Sequence, residues 1–272
     1  MFPWVNGFQW QVGHLVFLGA FFSVVLGIGL TLVAATVRAR HDLLAGRGEE
    51  LRWRESFSAL PPSARACRRT LEGGVSQLCT HGFDCGSCSR CPAPAPEDNP
   101  AECIIVNGLR YPLDRSYHRG HTWVHAESDG SLTVGLDAMA ARLVGTPDSV
   151  ELPPPGTLLR ANGRGFTLRR MASVFSILSP VTGRVLAHGD AAAGWLLRIR
   201  PEDPDVLAKP LLRTSREVRA WVLRELERVQ ALAGTGGLGL TMADGGELME
   251  DLGATLPARQ WDHLCGEMLL DL

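Results

Sequence analysis

Residues 166–188, FTLRRMASVFSILSPVTGRVLAH, are the stretch on which the fold turns. They read as a hairpin, and the runs around them are also β-like. Residues 123–126, 132–134 and 195–200 are short strand-like runs, separated by turns rich in Gly, Pro, Asp and Ser. Only residues 137–144 read as helix within this block. A generic small β-barrel or sandwich satisfies these patterns, so the motifs decide between topologies.

Ile177, Ser179, Pro180, Val181, Thr182 and Gly183 carry the first motif. They resemble the lipoyl-bearing segment of glycine cleavage system H proteins, of the type E-S-V-K-A-x-S-D-I-Y-[AS]-P-V-[ST]-G. His121-Thr122-Trp123-Val124, then Asp129-Gly130 and Thr133-Val134-Gly135-Leu136, resembles the opening H-x-W-V…D-G…V-G-[IL] of that family. Residues 138–145 are similar to its short helix, and Val150-Glu151-Leu152-Pro153 to its V-x-L-P strand. Gly194-Trp195-Leu196-Leu197-Arg198-Ile199 matches its G-W-L-x-K-I strand. The likeness spans roughly residues 107–212 and implies a mainly β, lipoyl-domain-like barrel-sandwich. In the family a lysine eight residues before the motif proline bears the lipoyl group, and here that position is Ala172. The chain has one lysine, Lys209, far downstream, so the resemblance implies the shape without the carrier chemistry, and no lipoate is expected. The loop between Val185 and Trp195 is short and lacks the family's N-P-Y-G run, a further departure from swinging-arm docking.

At 272 residues there is room for one sizeable domain plus attachments. The net charge of −2 argues against a polyanionic partner, so nucleic acid is not expected. Basic character comes from 26 arginines against the single lysine, which removes lysine chemistry generally.

Residues 15–37, LVFLGAFFSVVLGIGLTLVAATV, carry no charge and are long enough for a hydrocarbon core of ~30 Å. The start before them, residues 1–14, lacks the basic region of a secretory signal, which favours a retained anchor. Arg38, Arg40, Arg47, Arg52 and Arg54 follow the segment. By the positive-inside rule the expected arrangement is a single-pass protein of a bacterial inner (cytoplasmic) membrane, N-terminus outside and C-terminal domain cytoplasmic. Trp4 and Trp10 suit the outer interface. Gly19, Ser23, Gly27, Thr31 and Ala35 recur every four residues as a stripe of small side chains, along which another helix can approach closely. The expected partners are therefore lipid and integral membrane subunits, as a homodimer or within a larger assembly. His14, at the outer edge, is either an idle interfacial histidine or a contact for a haem or quinone in a partner. Residues 38–62 are charged and helix-favouring, and are expected to continue the helix into the cytoplasm until Pro61-Pro62.

Six of seven cysteines fall in residues 63–104: Cys67, Cys79, Cys85, Cys88, Cys91 and Cys103. In a cytoplasmic domain such a group points to metal rather than to disulfides. A four-thiolate zinc site on Cys67, Cys79, Cys85 and Cys88, with Cys91 as alternative ligand, makes this a small metal module. His81 is a possible replacement ligand. Cys85-x2-Cys88-x2-Cys91 followed by Pro92 partly resembles iron–sulfur ligation, and free redox-labile thiols are the third reading. Cys265 stands apart and reads as a buried apolar residue. Residues 93–100 form a stiff polar linker into the β domain of residues 105–212. His118 and His121 at that domain's entrance are a two-ligand match at most, and read as surface or hydrogen-bonded histidines.

Residues 213–272 form a helical arm. Thr214 with Glu217 is a capping box, and Val218, Trp221, Val222, Leu226, Val229 and Ala233 share one helical face. Residues 234–239 formally match G-x-G-x-x-G, but follow a helix rather than a strand and read as a turn. Trp261, Leu264, Met268 and Leu269 mark a final amphipathic helix, docked on the domain or on a partner. No catalytic residues and no small-molecule substrate stand out. The expected role is a membrane-anchored, non-catalytic accessory or scaffold subunit on the cytoplasmic face of a bacterial membrane complex. The alternatives are an iron–sulfur electron-transfer subunit, a redox or metal sensor, and a lipoyl carrier modified at Lys209.

Overall fold

The computed structural model describes residues 11–44, 47–71, 77–84, 88, 103–189, 194–203, 211–234 and 251–271. The chain divides into two compact units, Met1–Gly48 and Glu49–Leu272. In the first, α1 (Val12–Leu44) is a continuous helix whose apolar span has none of its residues buried. It is long and apolar enough to cross a membrane. Its helix exceeds the expected span of residues 15–37 at both ends. The hydroxyls of Ser23 and Thr31, two members of the small-residue stripe, donate back to Ala20 O and Ile28 O, each at 2.8 Å. This satisfies both hydroxyls within the helix, as an apolar surrounding demands.

In the second unit α2 (Arg47–Ala59) ends just before Pro61-Pro62, where proline's missing N–H stops the ladder. Its Phe57 packs with Leu60, Ala64, Phe83, Leu178 and Leu270 in a small apolar cluster. The short α3 (Arg68–Leu71) follows. Next, β1 (Cys103–Val106) and β2 (Leu109–Pro112) form a two-stranded hairpin. Cys103, expected in the cysteine segment, therefore begins the first strand of the β region. Asn107 and Gly108, at φ 47 and 76, make the turn; this is the dipeptide that suits a hairpin needing two left-handed residues.

A six-stranded sheet has the order β3-β4-β5-β11-β10-β7, all neighbours antiparallel. Its strands are β3 (Ser116–His118), β4 (Thr122–Ala126), β5 (Leu132–Leu136), β7 (Leu158–Leu159), β10 (Gly183–His188) and β11 (Leu197–Pro201). A second sheet of three strands has the order β6-β8-β9, from β6 (Ser149–Glu151), β8 (Arg164–Arg170) and β9 (Ser173–Leu178). Phe166, Leu168, Phe175 and Ile177 of the small sheet join Val124, Val134, Val185 and Ile199 of the large one in a single core. The W-V…V-G motif has a direct physical basis here. Trp123 pairs across the ladder with Gly135, and a Cβ at Gly135 would lie 2.5 Å from the indole. Only glycine leaves room for that ring.

Among the described residues of the β region, helix α4 (Ala138–Val144) is the one helix, capped by Asp137, whose side chain accepts from Ala140 N. The C-terminal arm supplies α5 (Ser215–Gly234), a 3-10 turn at Leu252–Ala254, and α6 (Ala258–Leu269). All six apolar residues expected on one face of α5 are buried, as are Trp261, Leu264, Met268 and Leu269 of α6. Both helices belong to the same core as the sheets. Of the two docking choices left open by the sequence, the arm takes the domain's own surface. The capping box forms as the T-x-x-E spacing predicts: Glu217 N donates to Thr214 Oγ1 at 3.3 Å and Thr214 N to Glu217 Oε2 at 3.1 Å.

Candidate functional site

In the β8–β9 hairpin, Arg170 pairs with Ser173, leaving Met171 and Ala172 as a two-residue turn. Ala172 is thus at the tip and exposed. Met171 has φ 53 and is 59% exposed, an uncommon conformation for an unbranched apolar residue in water. The surroundings hold it. Met171 N donates to Asp148 Oδ2 at 2.6 Å, and Asp148 N donates to Arg169 O at 2.8 Å. Arg170 forms a two-pronged pair with Asp251 at 2.6 and 2.7 Å and also donates to Val144 O. Its guanidinium lies 5.5 Å from the Trp261 ring. The Arg170 bonds hold Asp251's carboxyl below the ordinary carboxylate range.

This tip does not fit a lipoyl group. Lipoate is carried on an amide to a lysine amine, and the tip offers a methyl group at Ala172 and a thioether at Met171. Lys209 lies outside the described residues.

Both entrance histidines are fully buried, which corrects the surface reading and keeps the hydrogen-bonded one. Burial pushes His118 down to about 4, only partly offset by its 2.8 Å hydrogen bond to Asn162 Oδ1. It is therefore neutral, with Nδ1 accepting from Gly120 N at 3.1 Å. His121 is the opposite case. Burial alone would lower its pKa, but Asp137 at 3.0 Å from Nδ1 and Glu225 at 3.8 Å from Nε2 raise it to about 9. The resulting imidazolium is stacked on Trp221 at 5.0 Å. Burial would raise Glu225, yet Arg228 and His121 hold it below the usual carboxylate range. The group ties β4's approach, α4's cap and α5 together.

The cysteines divide. Cys85 and Cys91 lie outside the described residues, as do the linker of residues 93–100 and, beyond Gly234 at the end of α5, the turn of residues 234–239. Cys265 is buried, and burial pushes its thiol up to about 12, as expected of an inert apolar residue. Cys67, Cys79 and Cys88 line one small cavity of about 20 Å³ together with His81. Among the described residues, no three His, Cys, Asp or Glu side chains already converge as a metal site. His14 is exposed on α1 and accepts from Gln11 N at 3.2 Å.

Two features had no signal in the sequence. One is the buried pair of Arg68 and Glu217, which joins the cysteine segment to the cap of α5 across 149 positions. The other is a groove of about 210 Å³ between α2 and the small sheet, lined by Arg52, Trp53, Asn162, Arg164, Ser176 and Asp271. Its charged side chains are of both signs, and Asp271 is already occupied by Ser176 N at 2.6 Å.

Comparison with known proteins places residues 115–222 in the glycine cleavage H-protein family. The H protein of the glycine cleavage system of Thiobacillus denitrificans is 31% identical over 108 residues, covering 35% of this chain and 84% of that protein. That of Halorhodospira halophila is 31% identical over 105 residues, 34% of this chain and 81% of its own. Glycine cleavage system H protein 2 of Pseudomonas aeruginosa is 30% identical over 112 residues, 37% and 87% respectively. A solved H protein from Mycobacterium marinum aligns with 40% of this chain and 96% of its own at 25% identity, with a TM-score of 0.35. Four-fifths or more of each curated relative is thus represented in a region that holds the two sheets and α4, and on that ground the chain belongs to the glycine cleavage system H-protein family.

Proposed function

We propose that this chain is a membrane-anchored, non-catalytic H-protein-like subunit, serving as an accessory or scaffold part of a bacterial membrane complex. The observation that carries the reading is the hairpin tip. The turn that would present a carrier lysine exposes Ala172 instead, and bonds from Arg170 and Met171 fix it to Asp251 and Asp148. A swinging arm needs an acceptor amine at a free tip; this one offers a fixed surface. The unburied apolar helix α1 supports retention in a membrane, with the small-residue stripe as the face for another subunit's helix. The arginines after it favour a cytoplasmic β domain and an N-terminus outside.

Extraction from native membranes in mild detergent tests the reading. The chain is expected to stay with the membrane until detergent is added, and then to migrate with other integral membrane proteins. A chain released by salt or carbonate, or recovered in detergent as a partner-free monomer, contradicts it.

A further inference from the structure

We propose that Cys67, Cys79, His81 and Cys88 form a mononuclear, tetrahedral site for a zinc-class cation that cross-links the cysteine segment to itself. This goes beyond the accessory role and stands or falls separately from it.

Two of the ligands are already held by backbone. An isolated antiparallel bridge pairs Ala66 with Leu78. Its flanking bonds run from Cys67 N to Gln77 O at 2.9 Å and from Cys79 N to Arg65 O at 2.7 Å. Residues twelve positions apart in sequence are thereby brought to one site without a disulfide. After Cys79 the chain reverses at once: Asp84 N donates to His81 O at 2.9 Å. The two residues inside this turn, Gly82 and Phe83, are both left-handed, at φ 58 and 64. For a phenylalanine that conformation is strained and persists only where the surroundings impose it. Here Phe83 is buried against Phe57, with ring centroids 5.0 Å apart, and Trp53 Nε1 donates to Gly82 O at 3.1 Å. The strained turn has a chemical consequence. It aims Phe83 N at Cys79 Sγ, 3.4 Å away, the kind of N–H contact that a metal-bound thiolate accepts.

The remaining parts fit a cation of this class. The cavity of about 20 Å³ lined by the three cysteines and His81 is the size of one water or one ion. His81 Nδ1 is 3.0 Å from Thr80 Oγ1. With Nδ1–H donated to that hydroxyl, Nε2 keeps its lone pair for a metal, the usual second partner of a ligating histidine. Three thiolates and one imidazole are a familiar zinc set. Binding releases three thiol protons to solvent and leaves a net charge of −1 on the site. Arg119, which also lines the cavity, sits with its guanidinium 4.2 Å from the Phe83 ring and donates to Ala66 O, so a fixed positive charge offsets that excess. The three sulfurs line the cavity without converging on one point, and Cys88 is the ligand not tied by the bridge or the turn. Cys103, exposed on β1, and Cys265, buried against α4, stand outside the set.

The test is metal analysis of the full chain in detergent after exhaustive dialysis. About one zinc per chain is expected. His81→Ala should lower this at least about tenfold, since His81 is exposed and its loss leaves the core intact. His81→Cys, which keeps a tetrahedral donor, should restore it, and Cys103→Ser should leave it unchanged. Cobalt substitution should give the visible bands of tetrahedral thiolate coordination, weakened in Cys79→Ser. The site is overturned if the wild-type chain holds no metal, if it holds iron with sulfide, or if His81→Ala retains its zinc. Each readout is independent of whether partners co-purify.

Discussion

Glu217 shows how one side chain can serve two scales of structure. Its carboxylate closes the capping box at the start of α5 and accepts Arg68 from the cysteine segment, where both side chains are nearly or fully buried. Burial alone would raise its pKa, but the Arg68 bond and charge hold it below the ordinary carboxylate range. Replacing Glu217 by Gln removes the carboxylate from this buried pair, and the expected loss is about 3–5 kcal/mol by urea unfolding of the full chain. The cap was legible because T-x-x-E is local; the Arg68 partner was not, because nothing in a sequence pattern links positions 68 and 217. The two buried histidines give the pH dependence its form. His121, raised from 6.5 to about 9, contributes stability that is complete below pH 6.5 and is lost as pH rises through 9. The groups facing it are the carboxylates of Asp137 and Glu225, the latter held below the usual carboxylate range by Arg228 and His121, and the uncharged ring of Trp221. His118, lowered from 6.5 to about 4, has the reverse effect: the unfolded chain protonates first, so stability falls as pH drops from 6.5 toward 4. Unfolding free energy measured against pH should therefore peak near 6.5, and His121→Gln should flatten only the alkaline limb. An unchanged alkaline limb in that variant would mean that His121 is not charged in the fold.

Among the elements, the β8–β9 hairpin and α6 depend on each other. Trp261 of α6 packs edge-on against Phe175 of β9 at 5.1 Å, and its Nε1 donates to Leu143 O at 2.8 Å at the end of α4. Arg170 lies over the same indole and reaches Asp251 just before the 3-10 turn. Trp261→Ala removes a fully buried ring and leaves Leu143 O without that donor, for an expected cost of about 3–5 kcal/mol. Because the ring also backs the hairpin, faster amide exchange is expected at Met171 and Ser176; protection unchanged there would show that the arm does not brace the tip. The strands and helices were legible where a local rule applied. Trp123 and Gly135, and the apolar faces of α5 and α6, follow from period and from steric need. What those faces covered was not legible, since an apolar stripe has the same pattern whether it meets its own domain or another chain. The left-handed turn at Gly82 and Phe83 was equally hidden, because a bulky residue with positive φ runs against propensity and is imposed by Phe57 and Trp53 from another element.

The whole molecule joins an H-protein β domain to further parts, and its curated relatives cover little more than a third of it. The family region occupies residues 115–222. Ahead of it stand an apolar helix and a cysteine-bearing segment, and after it an arm that closes over the domain's core. The β8–β9 hairpin turns through Met171 and Ala172, and its tip offers no amine. That combination is expected of a part selected for its surface and its place at a membrane. Native mass spectrometry of the chain extracted from its own membrane tests this most directly. The account predicts an assembly with at least one other integral membrane protein, in which this subunit has its unmodified polypeptide mass apart from bound metal. A lone chain, or a subunit carrying a lipoyl adduct, would contradict it.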